Sequence, residues 1–300
     1  MKILVIGDMH VGSLYGIAPR QKLQNEYQKW VIDKFEEMIQ KNMDIDYLAL
    51  VGDIIDGYGS KDSTDKWETN VDNQVSYAVQ LLQPLLYTKK IKVIGVTGSG
   101  YHYGKGTGFD GDLQVTEKLH GEHNRSYYLL NTPAGTIYFH HSSKNPVTER
   151  KIIHQRYFHG QSKIAMLVGA HLHRYEHTDD GAIQIIHTPC FQYPTPFMRL
   201  GNAVSIGALN INIDSKLILP SPVIFPIPQE IEQKMGGYEG ITKEIIQKSY
   251  EEETKLIAKA ARMRVSQVRR VREIIDTECM SSMPGIKVSN KLKAPRSKYV

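Results

Sequence analysis

The 300-residue sequence predicts an α/β fold, and three observations predict it. Short, β-branched apolar runs alternate with segments of helical period through the first hundred residues. Each of those runs stops at a glycine followed by a polar residue, the turn chemistry that closes a buried strand. The later half drops the helical period and reads as successive strands broken by Gly and Pro.

Taken in order, residues 2–6 form a buried strand that ends at Gly7-Asp8. From 25 to 41 the apolar positions Tyr27, Trp30, Val31, Phe35, Met38 and Ile39 recur at three and four, which predicts an amphipathic helix. Residues 47–51 repeat the strand pattern and end at Gly52-Asp53. The polar stretch 57–73 predicts an exposed loop, and 75–87 a second helix. A third buried strand, 92–97, ends at Gly98-Ser99-Gly100. Strand and helix alternating at this spacing predict βαβ units and a parallel-leaning sheet. Beyond them, 126–131 and 135–140 flank Thr132-Pro133-Ala134 as a hairpin. Further strands are predicted at 163–168, 182–187 and 203–214. Pro220, Pro222, Pro226 and Pro228 then mark an extended edge and a linker. The chain divides into a main domain, 1–228, and a basic helical extension with a loosely ordered tail, 229–300.

Composition excludes several classes. Hydrophobic residues at 41% and charged residues at 23% are globular values, not those of a disordered or collagen-like chain. No apolar run approaches the roughly 20 residues of a membrane span, and the apolar N-terminal run is too short for a leader core. Two distant cysteines, Cys190 and Cys279, make neither a disulfide framework nor a thiolate metal site. The expected location is cytoplasmic. Charge is uneven: 14 Lys/Arg face 8 Asp/Glu from Tyr238 onward, a net of +6, which points to a polyanionic partner such as nucleic acid.

Four strand ends deliver Asp or His to a turn: Gly7-Asp8-Met9-His10, Gly52-Asp53-Ile54-Ile55-Asp56, His140-His141, and Gly169-Ala170-His171-Leu172-His173. Strand ends are where open α/β sheets build ligand sites. Carboxylate oxygens mixed with imidazole nitrogens suit Mn²⁺, Fe or Zn²⁺ at five or six coordinate positions. His120, His123, His154, His159, His177 and His187 read as surface or core residues. Gly104, Gly106, Gly108 and Gly111 lack a following Gly-Lys-Ser/Thr and read as a lid rather than a phosphate loop.

These elements, over residues 1–214, resemble the calcineurin-like metallophosphoesterase superfamily. Its pattern runs Gly-Asp-x-His, Gly-Asp-x-x-Asp, Gly-Asn-His-Glu/Asp, a strand-end His, then Gly-His-x-His. The resemblance implies a four-layer α/β/β/α sandwich of two mixed sheets. It implies two divalent cations, Mn²⁺ first, and hydrolysis of a phosphoester by a hydroxide held between them. Asp8, His10 and His173 would hold one cation, Asp53 would bridge, and His140 and His171 would hold the second, with His141 the rival of His140. In the third element Ser99 stands where the family has its ligating Asn, and His102 is displaced by two residues, a variant familiar from phage-like members. His102 would act as the acid toward the leaving group, Asp56 would orient His10 or the turn, and Arg150 and Arg174 are candidate phosphate contacts.

Residues 255–275 admit two readings: one amphipathic helix that packs on the sheet or on a second copy of the chain, or a helix-turn-helix with Ser266 as cap and Gln267, Arg269 and Arg270 turned to DNA. The functional expectation is a phosphoesterase acting on a phosphodiester of a nucleotide or nucleic acid. The alternative is a DNA-binding regulator with a weakened metal site.

Overall fold

In the computed structural model the described residues are 1–58, 65–87, 89–102, 109–141, 164–179, 183–195 and 204–235. The helix-turn-helix segment, Arg150, His154, His159 and Gly104 to Gly108 lie outside them. Among the described residues, no helix is long and apolar enough to cross a membrane.

Two mixed sheets carry the fold. The first contains β1 (Lys2–Ile6), β2 (Tyr47–Leu50), β3 (Lys92–Val96), β4 (Glu122–Asn124), β10 (Gly207–Ile213) and β11 (Ile218–Ile224) in the order β11-β10-β1-β2-β3-β4. β1 to β4 run parallel to one another, and β10 returns antiparallel against β1. The second contains β5 (Tyr127–Thr132), β6 (Gly135–His141), β7 (Ile164–Ala170), β8 (Glu176–Asp179) and β9 (Gln184–His187) in the order β5-β6-β7-β9-β8. β6, β7 and β9 are parallel there, and the predicted hairpin is β5-β6.

The sheets pack face to face. Ile3, Val5, Ala49, Val51, Ile94 and Val96 of the first meet Ile137, Phe139, Met166, Val168 and Ile186 of the second in one buried cluster. Strand alternation sends the remaining side chains outward: Leu4, Ile6, Leu48 and Leu50 are buried on the opposite face of the first sheet. On the outer face of the second sheet, Tyr138, Ile164, Leu167 and Ile185 form a separate cluster. Double-sided burial explains why these strands read as continuous apolar runs rather than alternating ones.

Helix α1 (Glu26–Lys41) buries Tyr27, Val31, Ile32, Phe35, Met38 and Ile39 and is capped by Asn25, whose side chain accepts from the Gln28 amide at 2.9 Å. Helix α2 (Val71–Leu82) starts four residues before the predicted position, because Asn70 caps it by accepting from the amides of Asp72 and Asn73. It also stops sooner: Pro84 has no N–H to give an α-helix, and residues 83–86 tighten into a 3-10 turn. Among the described strands and α-helices, three lack an apolar signal and fall outside the predicted elements. They are β4, the polar edge strand β8 (Glu-His-Thr-Asp), and α3 (Gly111–Lys118), which Asp110 caps where a lid was expected. β11 is the Pro-marked edge strand, and α4 (Gln229–Lys234) follows it.

Because five of the parallel strands run toward the same edge of the sandwich, their C-terminal ends meet. β1, β2 and β3 of one sheet and β6 and β7 of the other end within reach of a single point, where the chemistry-bearing residues lie.

Candidate metal centre

The backbone marks the site before any side chain does. Among the described residues six non-glycine positions have positive φ, and five are Asp8 (48°), His10 (47°), Asp53 (50°), His171 (92°) and His173 (56°). Left-handed backbone at non-glycine residues is uncommon and costs of order 1–3 kcal/mol each, so it persists where the surrounding structure fixes it. Here it lets residues two apart, Asp8 with His10 and His171 with His173, share a side.

One cluster joins Asp8, His10 and His173. The Nε2 atoms of His10 and His173 lie 3.4 Å apart, and Asp8 Oδ1 lies 3.9 Å and 3.5 Å from them. A second joins Asp53, His141 and His171: Asp53 Oδ2 is 3.0 Å from His141 Nε2, which is 3.1 Å from His171 Nδ1. A third, His10 with Asp53 and His102, overlaps both. Asp8 Oδ1 also stands 4.0 Å from His141 Nε2, so the first two clusters adjoin. Within each group, the three candidate donor atoms lie within 4.8 Å of one another.

The donor chemistry fits cations. Asp8 Oδ1 is buried without a hydrogen-bond partner among the described residues, while Oδ2 accepts from the His171 amide at 2.8 Å. An orphaned buried carboxylate oxygen is costly unless something positive meets it. His141 donates Nδ1–H to the Val51 carbonyl at 2.8 Å, which turns Nε2 to the site. Charge follows the geometry. Burial raises the Asp8 carboxyl, but the imidazoles of His173 and His141 outweigh it and hold the group at about 2. Burial opposes charge on His141 too, yet Asp53 and Asp8 raise it to about 10. Asp53 is held well below the usual carboxylate range by His141 and His102 against its own burial.

Of the His140-His141 doublet, strand geometry brings His141 and not His140 to the cluster. β6 alternates: Ile137 and Phe139 face the inter-sheet core, so His141 follows them to the site. Tyr138 and His140 face outward, their rings 5.3 Å apart between centroids. Burial and His187 push His140 down to about 3, a neutral imidazole.

Ser99 meets the site through Asp53, its amide donating to Oδ1 at 2.7 Å with its hydroxyl at 3.3 Å. His102 packs edge-on to His10, ring centroids 4.5 Å apart, and donates Nδ1–H to the Asp56 carbonyl at 2.9 Å. Asp56 Oδ1 lies 3.5 Å from Nδ1 of both His10 and His102. Arg174 is turned to Glu176 at 2.6 Å.

Sequence reading missed Asp112. This buried carboxylate accepts from the amides of Asp53 (3.1 Å), Ile54 (2.9 Å) and Gly98 (2.8 Å), tying the turn after β2 to the turn after β3. Burial and the Asp53 charge raise it to about 7, although the three amides favour the ionised form. Its signal was Asp110-Gly111-Asp112 at a helix start, hidden by the glycines around it.

Comparison with known proteins bears on the same residues. Residues 1–99 match the calcineurin-like phosphoesterase family model. Comparison with curated proteins gives no match. Among solved structures the chain is similar to Yfce, a phosphoesterase from E. coli (15% identity, 74% of this chain, 100% of that one, TM-score 0.42). It is also similar to an archaeal phosphodiesterase (10%, 75% and 100%, TM-score 0.41) and to a Zn²⁺ complex of Vps29 from Entamoeba histolytica (13%, 75% and 100%, TM-score 0.39). The family match spans Asp8, His10, Asp53, Asp56 and Ser99, while His102, His141, His171 and His173 come from the strands and turns that follow it.

Proposed function

We propose that this protein is a metal-dependent phosphoesterase that uses two divalent cations and prefers a phosphodiester of a nucleotide or nucleic acid. The observation that carries the reading is the pair of adjoining Asp/His clusters built on left-handed strand ends. Asp8, His10 and His173 would hold one cation and Asp53, His141 and His171 the other, and Asp53, which also groups with His10 and His102, would reach both. Bound there, divalent cations supply Lewis acidity, which acidifies water and absorbs charge on phosphoryl oxygens.

The chain's own residues set the rest. Val51 fixes the His141 tautomer, and the Ser99 amide holds the Asp53 carboxylate in place. His102, its Nδ1–H engaged by the Asp56 carbonyl, has Nε2 to hold a proton and release it to the leaving oxygen. Burial of Asp8, His10 and Asp53 thins the water that would screen these charges. The net +6 of residues 238–300 supports the choice of a nucleic-acid or nucleotide diester, since clustered cations attract phosphates.

Turnover of bis-p-nitrophenyl phosphate against p-nitrophenyl phosphate with Mn²⁺, with and without chelator, tests this. The expected result is chelator-sensitive hydrolysis, faster on the diester, and lost in Asp53→Asn. No turnover with Mn²⁺, Fe²⁺ or Zn²⁺ would overturn it.

A further inference from the structure

Lys66 belongs to none of the motifs, lying in the polar stretch that the sequence marks as a loop. Its side chain is only 6% exposed, an expensive place for an ammonium unless it is fully paired. It is. Nζ meets Asp56 Oδ2 at 2.5 Å and donates to the carbonyls of Gly57 at 2.9 Å and Asp56 at 3.3 Å. Those contacts use all three of its donors. The backbone beside it is anchored as well: Lys66 bridges Ser13, and the amides of Trp67 and Glu68 donate to the Gly12 carbonyl.

The partner of this buried lysine is the residue that faces two imidazoles at once. Asp56 Oδ1 stands 3.5 Å from Nδ1 of His10 and of His102, and its carbonyl takes the His102 Nδ1–H. With its donors spent on residues 56 and 57 and almost no exposed surface, Lys66 is not placed to touch a phosphate. We infer that Lys66 is a positioning residue: its ammonium anchors the Asp56 carboxylate, and through it sets the orientation of both His10 and His102. The inference rests on the phosphoesterase reading and adds to it a cation that works at one remove from the substrate.

The test uses the full chain as wild type, Lys66→Met, Lys66→Arg, Asp56→Asn and the Asp56→Asn/Lys66→Met pair. Calorimetric titration of the metal-free chains with Mn²⁺ is read beside kcat and KM on bis-p-nitrophenyl phosphate. Lys66→Met is expected to lower kcat about 10–100-fold with little change in KM, and to weaken Mn²⁺ binding. Lys66→Arg recovers most of kcat, and in the Asp56→Asn background the Lys66 change adds little. Wild-type kcat and Mn²⁺ affinity in Lys66→Met, a rise in KM alone, or a loss that multiplies with that of Asp56→Asn would overturn the inference. If Lys66→Met does not fold, the double variant decides: kcat equal to that of Asp56→Asn supports the inference and a much lower kcat contradicts it. Wild type without Mn²⁺-dependent turnover sinks the phosphoesterase reading instead, and the titration then decides Lys66 by whether Lys66→Met weakens Mn²⁺ binding. A wild type that neither binds Mn²⁺ nor turns over removes both.

Discussion

His140 and His141 are chemically identical neighbours, and only strand alternation separates them. His141 stands 3.0 Å from Asp53, while His140 packs beside Tyr138 on the outer face. His141→Asn is therefore expected to cost more metal-dependent activity than the about 10–100-fold typical of an outer-shell partner. His140→Asn should keep its metal-dependent turnover, with any loss appearing in thermal stability; the reverse pattern in turnover assays would contradict the assignment. Asp112 acts at the same scale. Asp112→Asn keeps the shape but turns an NH₂ toward at least one of three amide donors, at a cost of about 1–3 kcal/mol in urea unfolding. An unchanged midpoint would show that the clamp carries no strain. The candidate-site residues were legible because they follow the ends of apolar runs. The doublet was not resolved because nothing in its two identical letters states which face each takes. Extending the alternation back to Phe139, a core residue, would have settled it.

At the level of elements, what was legible is what buries apolar side chains at a regular period. β1, β2, β3, the β5-β6 hairpin and α1 all have that signal, and their observed bounds follow it closely. β8 and α3 do not: β8 is an exposed polar edge, and α3 is set by its Asp110 cap and by packing on β3 rather than by a strong apolar stripe. The junction between two turns was also invisible in sequence. Gly57 adopts φ of +64°, and a Cβ there would collide with the His102 carbonyl, so the turn after β2 lies directly on the turn that carries His102. Gly57→Ala should destabilise the fold by more than about 1 kcal/mol in urea unfolding. It should also lower kcat while Mn²⁺ stoichiometry holds. A variant with wild-type kcat would uncouple the two turns.

Over the whole molecule, two sheets that share one core direct their strand ends to one place, so carboxylates from the first sheet meet imidazoles from the second. That convergence gives the metal-free site a proton balance. The charges of Asp53 and Asp8 outweigh burial and lift His141 to about 10, so at neutral pH a proton occupies the imidazole that a cation needs. Cation uptake therefore releases a proton, and affinity should climb as pH rises toward 10, by up to about tenfold per unit. Calorimetric titration in buffers of different ionisation heat measures the release; a pH-independent affinity would contradict it. The most direct measurement is anomalous diffraction from crystals grown with Mn²⁺. Two peaks are expected, one among Asp8, His10 and His173 and one among Asp53, His141 and His171. No peak at these residues, or one centred on His140, would contradict this.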